Sequence, residues 1–93
     1  MFDNYDHRYA LEKFIADQTR NVKNYYVSIG TIYTRFRPSE RLFRDLVILE
    51  SKKYIFLDTD DDDIRGAWGN DELFKTVDRD PKFYAGFADY TEW

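Results

Sequence analysis

The stretch Tyr54-Ile55-Phe56-Leu57-Asp58-Thr59-Asp60-Asp61-Asp62-Asp63 sets four apolar residues against five aspartates interrupted by one threonine. The first part calls for burial and the second for solvent, because unpaired carboxylates are almost never fully buried. A chain of 93 residues accommodates one domain with one core, so this boundary marks where that core gives way to surface. Eight Tyr, eight Phe and two Trp supply large buried areas from few positions. The 43% hydrophobic content argues against a disordered chain. With no cysteine there is neither a disulfide framework nor a thiolate metal site, which suits a reducing compartment. No apolar run approaches the length of a membrane span. The opening residues MFDNYDHRYALEK carry early acids and no apolar signal core, so a cytoplasmic protein is expected.

The net charge of −4 conceals an asymmetry: residues 1–57 carry +3 and residues 58–93 carry −7. An acidic block on a mildly basic body disfavours phosphate backbones as partners and favours basic ones.

The spacing of Leu11, Phe14, Ile15, Gln18 and Val22 predicts a helix over 6–22 with Asp6 as its N-cap. Residues 25–37 are rich in β-branched and aromatic side chains and predict a strand. On it Tyr25, Val27, Ile29, Thr31 and Tyr33 share a face, and Gly30 marks a bulge or close approach. After the turn at Pro38, the apolar runs LVIL and YIFL predict strands at 42–49 and 53–58, joined through ESKK as a hairpin. Beyond Asp58 the pattern is helical, with Ile64, Ala67 and Trp68 on one face. Asn70 is then placed to cap a second helix through Leu73, Phe74 and Val77, and Asp80-Pro81 to start a third piece with Phe83, Phe87 and Tyr90 as its buried stripe. The expected fold class is α+β: a small single domain over 1–93, in the order α-β-β-β-α-α, with a three-stranded antiparallel meander packed by helices.

The aspartate run admits several chemistries. As a helix start, Thr59 would be the N-cap and Asp62 its capping-box partner, and each acid in the first turn would gain about 0.3–1 kcal/mol from the helix dipole. That accounts for two or three of the acids and leaves the others unexplained. As an EF-hand it fails on spacing: Asp58, Asp60 and Asp62 fit, but Asp63 stands where glycine is needed and Gly69 where the bidentate glutamate is needed. Over about eight residues, four apolar positions followed by Asp-x-Asp resemble the nucleophile motif of haloacid-dehalogenase-type phosphatases and the metal-binding Asp-x-Asp of nucleotide-sugar glycosyltransferases. The phosphatase resemblance implies Asp58 as nucleophile and Asp60 as general acid, in a parallel-sheet fold with further motifs downstream. The 35 residues after Asp58 are too few for that architecture. The remaining reading is electrostatic recognition, in which Asp58, Asp60, Asp61, Asp62 and Asp63, supported by Asp71 and Glu72, face a basic partner.

In size and charge, small acidic aromatic-rich domains without cysteine resemble phage-encoded inhibitors: DNA-mimic antirestriction proteins and anti-CRISPR proteins. Colicin-type immunity proteins, which cap a basic nuclease, share the profile. The resemblance implies a non-enzymatic inhibitor in the host-cell cytoplasm, without cofactor or metal. Its partner would be a protein with a basic nucleic-acid-binding surface, not nucleic acid itself. The alternative is a nucleic-acid-binding module using Arg35, Arg37, Arg41 and Arg44, interleaved with Phe36 and Phe43. Against it stands a solvated turn whose arginines pair with Glu40 and Asp45. The α-β-β-β-α order resembles double-stranded-RNA-binding domains, but acids at Asp60–Asp63 stand where that family places lysines. The one histidine, His7, has no nucleophile in a recognisable motif with it and is expected on a helix surface or N-terminal turn. Tyr5, Tyr25, Tyr26 and Trp93 exceed what one small core needs, and exposed members would anchor a protein interface.

Overall fold

Leu42, Leu46 and Leu49 are completely buried while Phe43, Arg44 and Val47 are exposed. That alternation of four and three is a helical face, and it decides the middle of the chain. The computed structural model describes residues 4–79. In chain order it contains α1 (Asn4–Thr19), β1 (Tyr26–Ser28), α2 (Ile29–Tyr33), α3 (Glu40–Ser51), β2 (Ile55–Asp60), β3 (Asp63–Gly69) and α4 (Asp71–Arg79). The piece expected from Asp80 onward lies outside the described residues.

The fold is α+β with a three-stranded antiparallel sheet, as expected from the pattern of the sequence, but the elements are distributed differently. The segment 42–49 is α3 and not a strand. Ser39 accepts a hydrogen bond from the Leu42 amide (3.2 Å) as N-cap, and Pro38 precedes it. A four-residue apolar run such as LVIL fits either a buried strand or a helix; here the leucine spacing wins. The expected ESKK hairpin is instead the end of this helix followed by Lys53 in the left-handed region (φ 67). The long strand expected at 25–37 is reduced to β1. Ser28 ends it by capping α2 through the Thr31 amide (3.3 Å). Gly30 lies in α2, where a Cβ would meet little, so it is neither a bulge nor a close approach. In α1, Leu11, Phe14 and Ile15 are buried as expected. The helix ends at Thr19, Asp6 lies inside it and not at its cap, and Gln18 and Val22 are exposed.

The strand order is β1-β3-β2, so β3 is central and the sheet is not a meander. Its inner face contributes Val27, Ala67 and Ile55 to a core completed by Ile15 of α1, Ile32 of α2, Phe36, Leu46 of α3, and Leu73 and Val77 of α4. Asn70 caps α4 as expected: its Oδ1 accepts from the Leu73 amide (3.1 Å). Its Nδ2 also donates to the Lys53 carbonyl (2.6 Å), tying α4 to the α3–β2 turn. Gly69 is required where β3 meets α1, since a Cβ there would lie 2.4 Å from Thr19 Oγ1.

His7 is not on the surface. It is 2% exposed and donates from Nδ1 to Asp45 Oδ2 (2.6 Å), which is equally buried, so the pair joins α1 to α3 inside the core. Phe36 packs edge-on against the imidazole. Removing one partner leaves the other buried without its hydrogen bond, so Asp45→Ala should lower the unfolding free energy by about 3 kcal/mol or more. Urea denaturation checks this; a loss under about 1 kcal/mol would show that the pair does not hold the two helices.

Candidate functional site

The dipeptide Asp61-Asp62 is the whole connection between β2 and β3, with Asp60 paired opposite Asp63. Two-residue hairpin loops demand positive φ at a central position. Asp61 supplies it (φ 56), a conformation that Asp tolerates better than most residues. Thr59 therefore lies within β2 and caps nothing, and the helix-start reading of the run is replaced by a hairpin turn. Gly66 and Gly69 weaken a helix over this stretch, and Ala67 and Trp68 take opposite faces as neighbours on a strand do. The register slips once: Asp58 pairs with Gly66 and Thr59 with Ile64, leaving Arg65 as the extra residue of a β-bulge. The Arg65 guanidinium reaches Asp60 at 3.6 Å, and both side chains are exposed.

Asp60, Asp61, Asp62 and Asp63 are exposed around this turn, and Asp58 is half-buried beside it. Asp71 and Glu72 do not join them. They occupy the first turn of α4, past the far end of β3. At about 3.3 Å per strand residue, they stand roughly 20 Å from the turn. Their carboxylates complement the α4 dipole instead.

A second feature adjoins the acidic turn. The register pairs Tyr26 with Trp68 and Trp68 with Phe56, so one aromatic row crosses all three strands on the face away from the core. Phe56 is 70% exposed and Trp68 39%; the Tyr26 and Trp68 ring centroids are 5.1 Å apart. The next row on that face is Ser28, Gly66 and Asp58. Tyr26 lies across Gly66, where a Cβ would collide with its phenol, and donates its hydroxyl to Asp58 Oδ2 at 2.8 Å. Only glycine at 66 permits that path. The row is legible in part: Tyr26 stands out as surplus aromatic material and Phe56 lies on an expected strand, but the helical reading beyond Asp58 hides Trp68, which joins them. Of the other surplus aromatics, Tyr25 is exposed, while the side chains of Tyr5 and Trp93 lie outside the described residues.

The other groups fall elsewhere. Arg35, Arg37, Arg41 and Arg44 are exposed on the α2–α3 corner; Arg44 pairs with Glu40 (3.5 Å), while Asp45 is committed to His7. Between that corner and the turn runs an open groove of about 410 Å³ lined by Tyr33, Phe43, Asp62, Asp63 and Ile64. A second groove of about 570 Å³ lies along the β2 edge between Phe56, Ile55, Glu50, Lys53 and Asn70. The Glu50 carboxylate accepts from the Leu57 amide at that edge (2.9 Å), which blocks a backbone donor from pairing with another strand. Among the described residues no three His, Asp or Glu side chains converge in a metal-holding group, and no helix is long and apolar enough to cross a membrane. Comparison with protein-family models, curated proteins and solved structures finds no match to the chain.

The Tyr26 phenol is held above its ordinary value of 10.0, first by its partial burial and then by the hydrogen bond to Asp58 and that carboxylate's charge; Arg65 opposes the rise. Folded Tyr26 thus keeps its proton at pH values where the unfolded chain has lost it. Its contribution to stability is complete below about pH 10 and disappears as the pH climbs through the folded value. Asp58→Asn should bring Tyr26 ionisation back toward 10.0, read from the ultraviolet titration difference between each protein and its Tyr26→Phe counterpart. An unchanged midpoint would show that Asp58 does not act on the phenol.

Proposed function

We propose that this domain is a non-catalytic protein ligand that presents the acidic β2–β3 turn to a basic, nucleic-acid-handling surface on another protein, as a phage-type host-defence inhibitor would. The supporting observation is the placement of Asp60, Asp61, Asp62 and Asp63 around a two-residue turn, with Asp60 directly opposite Asp63. Like charges facing each other across strands destabilise the pairing, and no helix dipole is present at this turn to offset them. Arg65 is the one cation paired with the run among the described residues. Beyond the Tyr26–Asp58 bond, the Arg65–Asp60 pair and the turn conformation of Asp61, the fold gains little from so many carboxylates here, whereas a basic partner does. To Arg and Lys such a projecting cluster offers the attraction that a phosphate backbone offers. The burial of His7 against Asp45 keeps that imidazole from any substrate, which supports binding over acid–base catalysis.

The test is fluorescence anisotropy with a labelled lysine-rich peptide, alongside retardation of duplex DNA. At about 100 mM salt, with a screening length near 10 Å, the peptide should bind and duplex DNA should not. Combined Asp61→Asn, Asp62→Asn and Asp63→Asn should weaken peptide binding and flatten its salt dependence. Asp71→Asn with Glu72→Gln, removing charge at the distant site, should do neither. Submicromolar DNA or RNA binding that weakens on Arg35→Ala and Arg41→Ala would overturn this reading in favour of the arginine corner.

A further inference from the structure

The open face of the sheet leaves Phe56 and Trp68 exposed beside a half-buried Tyr26. Burying a phenyl ring stabilises it relative to exposing it, so Phe56 at 70% exposure is an apolar surface left uncovered. Contiguous exposed aromatics of this kind mark interaction sites, and Trp and Tyr are the residues most enriched where interfaces are strongest. The patch is not purely apolar. Asp58 closes one end of it through the Tyr26 hydroxyl, and Asp60 follows on the same face of β2, about 7 Å further along at two strand residues.

Resting on the acidic-ligand reading above, we infer that the Tyr26–Trp68–Phe56 row with Asp58 receives an arginine side chain of the basic partner. A guanidinium is planar, stacks on aromatic faces and donates in a fork that matches a carboxylate. The sheet holds both complements side by side: rings whose centroids lie 5.1 Å apart, and a carboxylate with one oxygen engaged by Tyr26. Lysine supplies the charge without the planar stacking surface. A second copy of this chain fits poorly, because it would bring Asp58, Asp60 and a net charge of −4 against the same groups. Anionic nucleic acid and anionic lipid are repelled for the same reason.

The experiment compares three peptides of one sequence carrying arginine, lysine or neutral citrulline, bound to the full chain with Trp93→Phe so that Trp68 is the only tryptophan. The arginine peptide should bind about two- to fivefold more tightly than the lysine peptide, the factor expected of an exposed cation–π contact, and should change Trp68 emission. Citrulline should bind weakest. Phe56→Ala removes a ring that is mostly exposed, so it should leave the circular dichroism unchanged while abolishing the arginine preference; Asp58→Asn should do the same. If arginine and lysine peptides bind equally and only the turn substitutions weaken them, this inference fails and the acidic-turn reading stands. If neither cationic peptide binds, both fail. A dimer in sedimentation velocity that Phe56→Ala dissociates would assign the face to a second copy and overturn the inference.

Discussion

β3 is hydrogen-bonded on both edges, to β1 at Tyr26–Ser28 and to β2 along Ile55–Asp60, and its register sets what each side of the sheet displays. A slip of one residue would exchange the two faces. Val27, Ala67 and Leu57 would turn outward, and Tyr26, Trp68 and Phe56 would have to enter a core sized for smaller groups. Two glycines hold that register by close approach. Gly69 lets β3 lie against Thr19 of α1, and Gly66 lets the Tyr26 ring cross the strand to Asp58. The bulge at Arg65 then re-aims the first residues after the turn, so that the arginine reaches Asp60.

The helical side is held by different means. Leucine spacing on α3, the Ser39 and Asn70 caps and the buried His7–Asp45 pair fix the layer against which the sheet packs. With one face of the sheet committed to that layer, the other can carry groups the fold does not require. Crowded carboxylates at the turn, a left-handed Asp61 and a largely exposed Phe56 all run against local stability, and they lie together on one hairpin. Left-handed backbone also occurs at Tyr25 and Lys53, so what is particular to this hairpin is its charge and its exposed rings, the features on which the proposed binding role rests.

The sequence was informative where one signal acted alone. Asn70 followed by Leu73 and Val77 announced α4, Leu11, Phe14 and Ile15 announced α1, and YIFL announced β2. It misled where two periods overlapped. LVIL reads as a strand in isolation, and its helix shows only when Leu42 and the Ser39 cap are counted with it. The residues after Asp58 read as a helix because Ile64, Ala67 and Trp68 have helical spacing, whereas pairing with β1 and β2 imposes a period of two. The acidic residues were visible as candidates, but their division into a turn cluster and a distant pair, Asp71 and Glu72, follows from β3 lying between them. His7 and Asp45, 38 positions apart, meet only through the packing of α1 on α3, so no local pattern could join them.

The hairpin placement of the aspartate run underlies the register of the whole sheet, and backbone NMR of the full chain tests it directly. It predicts extended Cα shifts over 55–60 and 63–69, with cross-strand contacts between Asp60 and Asp63, Leu57 and Ala67, and Tyr26 and Trp68. Helical shifts beginning at Thr59 and continuing to Trp68, without those contacts, would contradict it.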